Sequence, residues 1–311
     1  MAPRQHISFT AFIKRHPVLT YYALTFAISW GGVLLVIVVG GSGILATREQ
    51  FERLLPFMIP ALLGGPSIAS LLLTGLVSGR AGFRDLWSRL RRWRVAAGWY
   101  AVALLAAPLV MLAVPFALSL ASPVFVPTLF TTSDKASILL FGIVWGLIVG
   151  FCEELGWTGF ANPRLRLRYG VLSTGLIMGV LWGAFHLPTN AVWGGAHVSG
   201  GLPLALFLTV YSLSFLVGQL PAYRVLMVWV YDRSESLLVA VLMHASLTAC
   251  SLILGSSVTG GAFLTSLFVV AAAQWLVTAA VIVATRGKRS QPEPTSAIPA
   301  VHEVKRVAVP S

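Results

Sequence analysis

Long apolar runs separated by short charged, glycine- or proline-bearing breaks dominate the chain. Eight runs, near 18–40, 54–78, 99–121, 136–160, 171–190, 202–221, 237–256 and 262–284, approach the ~20 residues that a hydrocarbon core about 30 Å thick requires. Each predicts a membrane-spanning helix, and together they predict an all-α, polytopic transmembrane bundle. Residues 222–231 either extend the sixth run or lie at the interface. The first run is too long for a cleaved signal peptide and lacks a small-residue cleavage site.

One segment has a different pattern. Phe83, Leu86, Trp87, Leu90 and Trp93 fall at helical spacing with arginines on the other face. This predicts a cytoplasmic interfacial helix on anionic lipid, a solvated basic connector being the plainer alternative. The expected organisation is spans one to three with this helix (1–135), a core of spans four to seven (136–256), the eighth span (257–286) and a disordered cytoplasmic tail (287–311). No internal repeat or inverted symmetry of the transporter kind occurs, which weakens a proton-coupled transporter reading.

Composition agrees with the pattern. Of 311 residues, 57% are hydrophobic and only 10% charged, with mean hydropathy +0.84. A soluble domain carries about 25% charged residues. The expectation is an integral, multi-pass membrane protein, in the cell membrane if the host is prokaryotic. The net charge of +12 does not imply a nucleic-acid partner, because its distribution is lopsided. With eight spans, 19 basic residues collect on one side, including Arg224 and Arg233 after the sixth span. The other side has only Arg48, Arg53 and Lys135. That asymmetry places both termini in the cytoplasm.

Against this background a pair of glutamates stands out. Glu153 and Glu154 follow the apolar stretch 138–152 directly. A carboxylate in hydrocarbon costs roughly 3 kcal/mol or more, so such residues mark function by default. Only two histidines, His186 and His244, also fall within spans. Glu153, Glu154, His186 and His244 thus form the expected intramembrane inventory of ionisable groups, sufficient for water activation and acid/base exchange. Helical geometry turns adjacent residues about 100° apart, so the two glutamates should serve different partners. Thr158 lies one turn after Glu154, on its face. Gly150, Gly156 and Gly159 suit close helix approach. Pro188 should end or kink the fifth helix near His186. Counted from the basic face, Glu154 and His244 lie at matching depth (~15 Å), whereas His186 looks deeper (~24 Å).

Other protease chemistries find no support. HExxH is absent. Gly65-Pro66-Ser67-Ile68 lacks the following glycine of a serine-protease signature, and Asp85, Asp134 and Asp232 all lie outside span interiors. The two cysteines, Cys152 and Cys250, read as small packing residues.

The remaining signal is an ordered set of three motifs. Glu153-Glu154-Leu155-Gly156-Trp157-Thr158-Gly159-Phe160, then Trp182-Gly183-Ala184-Phe185-His186-Leu187-Pro188, then His244-Ala245-Ser246-Leu247-Thr248 resemble those of the CPBP intramembrane proteases. This group, also called the Abi family, includes the type II CAAX prenyl endopeptidases. The resemblance implies an endopeptidase acting on a peptide or membrane-protein substrate near the cytoplasmic membrane face. It implies that Glu153 activates water with His186 as partner, and that Glu154 supports the site. His244 and the residue four later would position substrate or stabilise the oxyanion. Trp182 matches the motif aromatic and is expected chiefly to pack. Glu153, His186 and His244 would also suit a divalent metal such as zinc, and the spacing does not separate that from a metal-free water site. Two positions depart from the family pattern: Thr158 replaces its arginine and Thr248 its asparagine. Without a cation at 158, the glutamates are expected to share a proton. The alternative is a catalytically impaired member acting as a membrane scaffold or bacteriocin-immunity protein.

Overall fold

The structure, a computed structural model, describes residues 9–42, 47–191 and 202–285. Among them, a short N-terminal helix (Phe9–Arg15) is followed by eight apolar helices. They are α1 (Pro17–Val39), α2 (Arg48–Leu90), α3 (Ala97–Ser119), α4 (Lys135–Gly156), α5 (Val171–Phe185), α6 (Leu204–Ser234), α7 (Leu237–Leu254) and α8 (Gly260–Thr285). No strand occurs among the described residues. Seven of the helices, all but α5, are long and apolar enough to cross a membrane, so this is an integral membrane protein. The expected tail, 287–311, and His197 lie outside the described residues.

Three elements sharpen the expected pattern. The fifth run forms a helix of only 15 residues, about 22 Å, capped at its C-terminus by His186. Helix resumes over 187–191 with Pro188 in its first turn, where a missing N–H costs nothing. The sixth run takes the longer of its two expected courses and continues through Pro221 to Ser234. A π-turn, Ser214–Gln219, precedes that proline and relaxes the backbone register it would otherwise violate. The third is α2, 43 residues broken at Gly79, whose φ of +56° suits glycine alone.

Beyond Gly79 lies the basic segment, and it is docked rather than laid on lipid by one whole face. Trp87 and Trp93 are exposed as expected, but Leu86 is buried against Leu155, Leu237 and Val241. Arg89 turns inward, donating to the Tyr231 hydroxyl and the Gly159 carbonyl, both at 2.8 Å. Arg92 pairs with Glu235 in the turn between α6 and α7. The Ser236 hydroxyl donates to the Arg92 carbonyl (2.6 Å) while capping α7 through the Val239 N–H. At the opposite end of the bundle, Thr47 and Gln50 form a capping box on α2. Asp134 caps α4, and its bond to Ser137 lowers the pKa of its carboxyl.

Small residues set which helices touch. Gly142, Gly146 and Gly150 give α4 a bare stripe on which α7 lies, so close that a Cβ at Gly146 would come 2.5 Å from the Ala245 carbonyl oxygen. Gly175, Gly179 and Gly183 do the same for α5 against α6, where a Cβ at Gly179 would lie 2.3 Å from Pro221 Cα. Lipid offers no hydrophobic drive between helices, so close backbone approach carries the packing. The stripes bring α4 onto α7 and α5 onto α6, and the polar residues sit where these two pairs meet.

Candidate active site

Glu154 occupies the centre, fully buried at the end of α4. Arg224 of α6 grips it with both terminal nitrogens, 2.9 Å to each carboxylate oxygen. His244 Nδ1 lies 2.7 Å from Oε1, and the Thr158 hydroxyl donates to Oε2. Both oxygens are therefore saturated, and the bidentate fork is the strongest geometry available to such a pair. A carboxylate can only accept from His244 Nδ1, so that nitrogen carries the proton and Nε2 faces the other way.

Glu153 is buried too, but differently served. Its Oε2 accepts from the indoles of Trp157 (3.0 Å) and Trp182 (2.8 Å). His244 Nε2 stands 3.9 Å from the same oxygen. Oε1 has no hydrogen-bond partner among the described residues. Trp182 thus does more than pack. It donates to Glu153, lies 4.3 Å beneath the Arg224 guanidinium and meets the His244 ring edge-on at 4.8 Å. Trp157 is enclosed by Tyr21, Tyr22 and Phe185, an aromatic wall around the carboxylates.

The structure corrects the expected charge balance. The span count groups Arg224 with the cytoplasmic arginines, yet it is 1% exposed and supplies the cation that Thr158 does not. The two glutamates need not share a proton to relieve their repulsion, because Glu154 is ion-paired. Thr158 keeps a place at the site as a hydroxyl donor.

The other expected residues are placed unevenly. His186 sits one turn beyond Trp182, its Nδ1 bonded to the Trp182 carbonyl at 2.8 Å, and makes no described bond to Glu153. Trp182 reaches Glu153 directly, whereas His186 stands one turn further along the chain. Thr248 is half-buried and makes no described side-chain hydrogen bond to the cluster. No three His, Cys, Asp or Glu side chains among the described residues converge enough to hold a metal. Glu153, His186 and His244 therefore do not fit a zinc site as they stand. Both histidines give Nδ1 to a protein acceptor, Glu154 and the Trp182 carbonyl, so Nε2 is the nitrogen each can offer a reactant.

Known proteins share this segment. Residues 135–250 match the family model described as type II CAAX prenyl endopeptidase Rce1-like. That segment contains all three motifs and Arg224. The chain is 23% identical over 137 residues to a protein of Methanococcus maripaludis described as CAAX prenyl protease 2. The aligned region covers 43% of this chain and 47% of that relative, about half its length. This segment, residues 135–250, is similar to the CPBP proteases. Within it the arginine of the CPBP pattern is absent from position 158, and a cation from another helix, Arg224, stands at Glu154.

Proposed function

We propose that this protein is a CPBP-type intramembrane endopeptidase in which Glu153 is the general base. One observation carries the reading: of two adjacent buried glutamates, only Glu153 keeps a carboxylate oxygen without a partner among the described residues. A water bound there loses a proton to Glu153 as its oxygen attacks the scissile carbonyl carbon. The tetrahedral intermediate collapses with cleavage of the C–N bond, and the proton passes to the leaving amine. His244 is the second proton site. Glu154 holds its Nδ1–H in the manner of a triad carboxylate, which aims the basic Nε2 at Glu153. Arg224 and Thr158 keep Glu154 in that orientation. Because no three His, Cys, Asp or Glu side chains converge among the described residues, the reaction is written without a metal and cleavage should persist in chelator.

A non-catalytic binding role has one observation in its favour: Glu153 is only 1% exposed. Purified protein in detergent, incubated with a peptide library, separates the two. The expected result is cleavage by the native chain, unaffected by EDTA, and a loss of about 10²–10⁴-fold in Glu153→Gln, the usual range for a general base. Equal cleavage by native and Glu153→Gln protein, or none by either, rules against the peptidase reading.

A further inference from the structure

The π-turn of α6 and the proline that follows it are held from two sides. On the α5 side, Gly183 faces Leu216 and Gly179 faces Pro221, where an added Cβ would lie 2.6 Å and 2.3 Å from the respective Cα atoms. On the other side lies α8, outside the residues that match the family model. Here the contact is made by side-chain hydrogen bonds. The Trp275 indole donates to the Val217 carbonyl (3.3 Å), and the Thr278 hydroxyl donates to the Ala222 carbonyl (3.0 Å). Gln219 of the π-turn donates its side-chain amide to the Leu267 carbonyl of α8 (3.3 Å). Leu267, Trp275 and Thr278 fall at helical spacing, so one face of α8 follows the turn.

The bond to Val217 answers a specific deficit. Val217 stands four residues before Pro221, so its carbonyl is the one whose α-helical donor would be the amide that proline lacks. Its side chain is 58% exposed on the outside of the bundle, where lipid offers a carbonyl no donor. Trp275 supplies one from the neighbouring helix. Thr278 is 1% exposed, and its partner Ala222 lies just before Arg224 in the same helix. Both bonds therefore fall within about two turns of the guanidinium that grips Glu154. A rotation of α6 at this turn would carry Arg224 away from both carboxylate oxygens and off the Trp182 ring, 4.3 Å from it.

We infer that Trp275 and Thr278 are positioning residues: by fixing α6 around Pro221 they hold Arg224 in register with Glu154. They act through the α6 backbone, and neither bonds to a glutamate among the described contacts. The consequence for cleavage rests on the peptidase reading; the placement of Arg224 does not.

The test uses the full chain in detergent. Trp275→Phe and Thr278→Val keep an aromatic ring and a branched shape while removing the donors. The coupling between Arg224→Met and Glu154→Gln, read from unfolding midpoints as a double-mutant cycle, should fall to about half or less when both donors are gone. A merely structural contact would lower every midpoint alike and leave the coupling unchanged. Gln274→Leu is the control on the same face: Gln274 is 2% exposed and its amide has no described hydrogen-bond partner, so the coupling should stay native. Pro221→Ala returns a backbone N–H to the turn and should restore the coupling, or folding if that is lost, in Trp275→Phe. Native coupling in the double variant overturns the proposal, and so does a Trp275→Phe defect that Pro221→Ala leaves untouched. Where the native chain cleaves peptide, the double variant should lose about tenfold to hundredfold in kcat with KM held within a few-fold, as misplaced catalytic groups do. Reduced coupling in a chain that cleaves no peptide upholds the positioning and rules against the peptidase reading. Native coupling and native cleavage in the double variant remove the role of α8 and leave that reading intact.

Discussion

Glu154 receives Arg224, His244 and Thr158 on its two oxygens, while its neighbour Glu153 receives two indoles on one oxygen and, among the described residues, nothing on the other. Both are buried, and both sit in the last turn of the same helix. The difference comes from the 100° between them, which turns one side chain toward α6 and α7 and the other toward α5. Two identical carboxyl groups thereby acquire separate duties: one anchors three helices, and the other stays available to a reactant. The anchor also explains how the chain departs from the CPBP motif pattern at 158 without losing the cation.

The sharpest way to break the contrast is to remove the anchor's partner. Arg224→Met leaves Glu154 an uncompensated buried charge, and the expected destabilisation is about 3–5 kcal/mol. It should appear as a large drop in the unfolding midpoint in detergent. Adding Glu154→Gln should recover a substantial part, because the orphaned charge disappears with its partner. If Arg224→Met unfolds like the native protein, the ion pair is not what holds these helices.

Thr158→Arg probes the same point from the other side. The cation position is already filled and Thr158 is 2% exposed, so a second guanidinium is overpacked and meets Arg224 as a like charge. A loss of about 1–3 kcal/mol is expected. Replacing Arg224 by Thr in the same chain should restore part of it by returning the arginine to the position the family pattern gives it. If Thr158→Arg is stable alone, Arg224 is not occupying that role.

How far the sequence foretells this site depends on the kind of signal. Glu153, Glu154, His186 and His244 are legible because ionisable groups inside apolar runs are rare and costly. The helices are legible for the same solvent reason. Arg224 is not, although it too is an ionisable residue beside an apolar run. Residues 222–231 read equally as an extension of the sixth run or as an interfacial stretch, and the π-turn that lets the helix pass Pro221 leaves no mark in hydrophobic periodicity. The dual role of Trp182 is hidden because its hydrogen bond depends on the depth of α5 relative to α4, which the glycine stripes set through tertiary packing. The inward turn of Arg89 is hidden likewise, since helical spacing distinguishes faces but not what each face meets.

On the Glu153 side the expected effects are smaller. Trp182→Phe removes one charge-assisted donor but keeps an aromatic face under Arg224, so about 1.5 kcal/mol of stability should be lost. Trp157 continues to serve the same oxygen. The pair Trp157→Phe and Trp182→Phe should therefore cost more together than the sum of the two, because only the double variant strips Oε2 of both indoles. Additive losses would mean that the indoles act independently of Glu153, a result a double-mutant cycle on unfolding midpoints decides.

Thr158→Val should have the smallest effect of all. It keeps the shape, deletes one hydroxyl, and leaves Glu154 with three donors from Arg224 and His244. About 1 kcal/mol is expected, with peptide cleavage unchanged within a few-fold. The family pattern puts a cation at this position, so a loss of activity here comparable to that of Glu153→Gln would restore position 158 to the centre of the mechanism. A near-silent Thr158→Val beside a severe Arg224→Met would instead show that the requirement is for a positive charge on Glu154, whichever helix delivers it.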